Sequence, residues 1–150
     1  MANYDSTIAF YDNKINRNNR RINECNQVIR RLEDDIEELR RLRPRIINVE
    51  NAVATAANAS AKKITRLPAA IFNPLAVLKM NYFTGVLDAI NGGERVKAQN
   101  ATENAKVKVD NKIRELQQEI ENLRNEVRQC NSNINSLSRQ KRIYISEKSD

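Results

Sequence analysis

The sequence predicts an all-α protein, a long antiparallel helical hairpin with coiled-coil arms and a short-helical apolar middle segment. Three observations predict it. Near the N-terminus, Ile8, Ile15, Ile22, Ile29 and Ile36 fall seven apart, and Tyr4, Tyr11, Asn18, Cys25, Leu32 and Leu39 repeat at the same interval in the alternate row. Near the C-terminus, Ile113, Ile120, Val127, Ile134 and Lys141 form one row and Val109, Leu116, Leu123, Cys130, Leu137 and Tyr144 the other. Between the ladders lie all three prolines, Pro44, Pro68 and Pro74, and all three glycines, Gly85, Gly92 and Gly93. Rows spaced alternately three and four apart hold one narrow apolar seam on a slightly underwound helix, and such a seam needs a partner helix. Two seams in one chain, separated by a reversal, can partner each other.

The first arm is expected over 5–43. Asp5 and Ser6 are both good N-caps, and Pro44 removes a helix hydrogen bond, so a kink or break is expected there. Beyond it, Ile46, Val49 and Val53 resume helical spacing into an Ala-rich stretch through Ala61. Alanine has high helix propensity and little bulk, so this stretch can pack closely against another backbone. The second arm is expected over 101–146, starting between Lys97 and Ala105, with Ser146 to Asp150 frayed. Arm, middle (44–100) and arm together make one elongated domain.

The middle concentrates Leu67, Ile71, Phe72, Leu75, Val77, Leu78, Met80, Tyr82, Phe83, Val86, Leu87 and Ile90. Asn73-Pro74 reads as a turn or helix start and Gly92-Gly93 as a stop, with short helices between. Phe72, Leu75, Leu78, Tyr82, Phe83 and Gly85 are the candidate partner-binding residues. The apolar cluster has three readings: a local core folded on the Ala-rich stretch, an exposed docking patch, or a tip that touches a membrane surface beside Lys62, Lys63, Arg66 and Lys79.

Charge is abundant and interleaved. By thirds of the chain, Lys/Arg against Asp/Glu are 10 against 9, 6 against 2 and 10 against 8, so the middle holds most of the net +7. Runs such as Arg30, Arg31, Glu33, Asp34, Asp35, Glu37, Glu38, Arg40 and Arg41 contain opposite charges one helical turn apart, as solvated helix faces do. A nucleic-acid face clusters bases without matching acids and adds aromatics. Lys62, Lys63 and Arg66 form the only basic run without acidic neighbours, so nucleic acid is not the expected partner.

An enzyme is not expected. The chain has no His, the usual general base and the commonest metal ligand. Its two cysteines, Cys25 and Cys130, stand too far apart in sequence for a zinc knuckle, and no phosphate-binding glycine loop is present. No catalytic residue, metal site or cofactor is assigned. Both cysteines occupy seam positions, and a fold about Val77 and Leu78 brings them to similar height. They form either a buried pair of small apolar side chains or a disulfide clasp in an oxidising exterior. The N-terminus shows neither a basic start nor an apolar stretch of signal length. The protein is expected to be made in the cytoplasm and, if exported, to leave without a cleaved signal.

The stretches RRINECNQVIRRLEDDIEELRRL and VDNKIRELQQEIENLRNEVRQCNSNI, joined by a middle segment carrying Phe83-Thr84-Gly85, resemble the YwqH-like small helical proteins of Gram-positive type VII secretion systems, which are encoded near LXG-type toxins. Phe83-Thr84-Gly85 stands where that family has a Trp-x-Gly turn, with Phe in place of Trp. No Tyr or Phe is followed four residues later by an acid, so the export motif of related partners is not evident. The resemblance implies a chaperone-like, non-enzymatic partner that binds the helical domain of an LXG toxin and assists its export. From a different class, the heptads also fit a structural coiled-coil subunit of a larger assembly, such as a phage virion or secretion apparatus, and self-association belongs to that reading.

Overall fold

The computed structural model describes the backbone of residues 2–66 and 92–149 and the side chains of 5–59 and 92–148. The described chain is all helical. α1 spans Ala2–Arg66 and α2 spans Glu94–Ser149, and the two pack against each other as an antiparallel hairpin. Their contacts fall into two units. The first comprises Met1–Glu37 and Ile113–Asp150, the second Glu38–Lys112.

In the first unit the heptad rows form the core. Cys25, Ile29 and Ile36 of α1 are buried, as are Leu116, Ile120 and Cys130 of α2. Ile8, Tyr11, Ile15, Asn18, Ile22 and Leu32 are half-buried in the same stripe, as are Ile113, Leu123, Val127, Ile134, Leu137 and Tyr144 opposite. Each aliphatic side chain withdrawn from water contributes about 1.5–3 kcal/mol, so these rows are the main stabilising feature. Charges flank them. Lys141 reaches Asp12 at 2.6 Å, Arg21 reaches Glu126 at 2.5 Å and Arg124 reaches Glu33 at 3.1 Å. As the position climbs along α1 its partner descends along α2, which is the signature of antiparallel pairing. The side chain of Lys141, the one charged member of the ladders, is 27% exposed and completes its pair with Asp12.

The second unit is paired by the same kind of contact but has a thinner seam. Arg43 meets Asp110 at 3.0 Å, Lys106 meets Glu50 at 3.0 Å, and Arg95 donates to Asn58 at 3.3 Å. Among its described residues only Val109 is a buried hydrophobe. The reason is local. α2 presents Ala98, Thr102 and Ala105 on its half-buried face, and side chains this small cannot cover the bulkier residues of α1.

Three element boundaries differ from expectation. α1 does not break at Pro44, which lies inside the helix. Proline costs a helix interior about 3 kcal/mol, but the Ala-rich stretch after it favours helix and the half-buried Ile46, Ile47, Val53, Ala54 and Ala57 pack on one side. α1 also starts at Ala2, so Asp5 lies in the first turn rather than at the cap, where its charge still suits the positive end of the helix. α2 starts earlier than expected and continues through Ser149, with Glu94 in its first turn and Lys148 in its last. Ser146 donates its hydroxyl to the Ile143 carbonyl at 2.8 Å, within the segment expected to fray. Gly92-Gly93 form a wider, π-type turn leading into α2.

Candidate partner-binding surface

Phe72, Leu75, Leu78, Tyr82, Phe83 and Gly85, the candidate recognition residues, lie outside the described residues. So do the short helices and turn assigned to the same segment. What the structure places is the pair of arms, and the arms carry three distinct local environments.

The first surrounds the cysteines. Cys25 is 1% exposed and Cys130 7% exposed, and both are free thiols. Burial pushes the Cys25 thiol up from its ordinary value, and the neighbouring Glu126 carboxylate adds to the rise while Arg21 opposes it. Cys130 lies near enough to add to it as well. A thiol held protonated and out of water behaves as a small apolar side chain rather than a nucleophile. Above it, the hydrogen bond from Arg21 holds the Glu126 carboxyl below its ordinary range. Arg21 also reaches Glu24 at 3.3 Å, so one guanidinium spans its own helix and the partner.

The second is polar. Asn18 donates its side-chain amide to the Lys14 carbonyl at 2.9 Å, and Asn133 approaches the Asn18 amide oxygen at 3.5 Å. Lys14, Arg17, Asn18, Asn133, Ser136, Leu137 and Gln140 line a shallow groove there. Nearby on α1, Phe10 is 52% exposed and packs edge-on against Tyr11 at 5.7 Å, with the Lys14 ammonium 4.3 Å above its ring.

The third lies in the second unit and is apolar. Leu42, Ile46 and Val49 stand at helical spacing on α1 and face Ala101, Thr102 and Ala105 on α2, with Arg45 at the edge. Leu42 is 42% and Val49 56% exposed. Val49 keeps the helical spacing expected of it but stays exposed, opposite the small side chains of Ala101, Thr102 and Ala105. The Thr102 hydroxyl donates to the Gln99 carbonyl at 2.9 Å, so it makes no polar demand on the groove. Sequence reading missed this surface. The available signal was the coincidence of an aliphatic stripe in one helix with an Ala/Thr stripe in the other, which shows only once the register is known.

Among the described residues no group of three or more His, Cys, Asp or Glu is placed to hold a metal ion, and no helix is long and apolar enough to cross a membrane. The features that are present define a structural class, an all-α helical hairpin. Comparison with protein-family models, with curated proteins and with solved structures finds no match.

Proposed function

We propose that the chain is a non-enzymatic helical partner protein, binding the helical domain of a type VII-secreted LXG toxin and assisting its export. One observation carries the partner role. The two helices spend their seams on each other, and large apolar side chains still remain outside that pairing, at Leu42, Val49, Val96 and Val107. Leu42 and Val49 share one groove with Ile46, and an exposed apolar stripe of this spacing suits a further helix. The toxin and the export route rest on the resemblance of the arms and of Phe83-Thr84-Gly85. In this reading the chain is made in the cytoplasm.

A second reading, a structural coiled-coil subunit of a larger assembly, draws on Phe10 and Ile143, exposed at 52% and 50% in the first unit. Lateral apolar side chains of this kind serve repeated contacts between copies. The two readings differ in valency. Size-exclusion chromatography with light scattering, on the chain alone and after co-expression with the gene products encoded beside it, separates them. The partner role expects a small heteromer of defined composition. Open-ended self-association without a heteromer defeats it in favour of the structural subunit.

A further inference from the structure

We infer that the groove of the second unit, between Leu42, Ile46 and Val49 of α1 and Ala101, Thr102 and Ala105 of α2, is the docking site for a third helix, an amphipathic one with acidic flanks, supplied by the protein partner. The inference rests on the partner role proposed above and gives it a surface and a chemistry. Shape supports a helix. Positions 42, 46 and 49 are the spacing at which one helix grips another, and the small residues opposite leave room for a backbone to approach. The exposure of Leu42 and Val49 marks the stripe as partly uncovered, whereas the equivalent rows of the first unit bury six apolar side chains.

Charge decides the sign of the partner. In the first unit the sequence holds thirteen Lys/Arg against thirteen Asp/Glu, and it is neutral. Among the described side chains of Glu38–Lys112, nine Lys/Arg stand against five Asp/Glu, so the unit that carries the groove has a surplus of cations. Acidic Asp110 and Glu50 there are already engaged with Arg43 and Lys106. Arg45, on the groove edge, is exposed and has no ion pair among the described residues. An apolar floor with Arg45 at its edge matches a helix whose leucine stripe is bordered by Glu or Asp. Phosphate backbones would share the charge but gain nothing from Leu42 and Val49.

The chain lacks Trp, so a Trp-bearing peptide can be followed by its own fluorescence. The probe is a synthetic amphipathic helical peptide with a leucine stripe, glutamate flanks and one Trp, titrated with the full chain. Val49→Asp should weaken binding about tenfold or more and Arg45→Glu severalfold, with helix content unchanged by circular dichroism. A peptide with the same stripe and lysine flanks should bind about tenfold more weakly. Equal affinity for both peptides, or no loss in a well-folded Val49→Asp variant, overturns the inference. A single-stranded oligonucleotide whose binding is abolished by Val49→Asp reassigns the groove to nucleic acid. Dimerisation of the chain alone that Val49→Asp abolishes reassigns it to a second copy. A co-expressed heteromer that survives both variants overturns this docking face while leaving the partner role standing. Peptide binding through Val49 without any co-expressed heteromer supports the groove and removes the toxin reading.

Discussion

Asn18 shows how a single residue can trade stability for choice of partner. It occupies a half-buried position in a row otherwise filled by Tyr, Cys and Leu, and its cross-helix contact with Asn133 is long at 3.5 Å. Its better hydrogen bond goes to its own helix at Lys14. A polar seam residue so weakly matched lowers stability and biases register. Asn18→Leu should therefore raise the melting temperature and loosen pairing specificity, and a lower melting temperature would show the Asn18–Asn133 contact to be worth more than its length suggests. The Arg21–Glu126 pair makes a second prediction, about pH. Its folded carboxyl lies below the ordinary 4.5, so the pair stabilises the hairpin above that value and the contribution fades as pH falls through the folded value. Wild type should be more stable than Glu126→Gln at neutral pH in urea unfolding, and the gap should narrow below about pH 4.5. A gap that stays constant into acid would place the effect of the substitution elsewhere. The seam position of Asn18, and the place of Arg21 and Glu126 just outside the rows, were readable from the heptads. Their partners were not, because Asp12, Glu33 and Glu126 each had several Lys or Arg within plausible reach until the register between helices was set.

At the scale of the element, seam and helix differ in how far local rules decide them. The seams were legible because a period of seven leaves few other ways to bury Ile29, Ile36, Leu116 and Ile120. Ile29 is 8% exposed and Ile120 5%. Ile29→Asp or Ile120→Asp should each cost about 3–5 kcal/mol, combining a lost buried aliphatic with a buried charge that has no partner. Thermal unfolding measures this directly, and two variants that melt like wild type would mean the arms do not pack through these rows. The break allowed for at Pro44 does not occur, for the opposite reason. A local penalty of one missing hydrogen bond was weighed without the half-buried Ile46, Ile47 and Val53 that follow it. The exposure of Val49 was not legible, because spacing alone cannot separate a stripe that meets bulky side chains from one that meets Ala101 and Ala105.

At the scale of the whole molecule, the division of charge follows the division of packing. The neutral unit has the fuller core, and the unit with the thin seam carries the surplus of cations. Composition already placed most of the excess in the middle third, but only the pairing of the helices shows that an apolar groove shares its unit. The antiparallel topology has a further consequence, in time rather than in space. Arg21 pairs with a residue 105 positions later and Asp12 with one 129 positions later. During synthesis at about 5–20 residues per second, the seam of α1 leaves the ribosome roughly 5–20 s before its own partner exists. Throughout that interval Cys25, Ile29 and Ile36 are an unmatched heptad row on a nascent chain. Neighbouring chains on the same messenger present the same row, so fidelity of assembly depends on how fast α2 arrives to claim it.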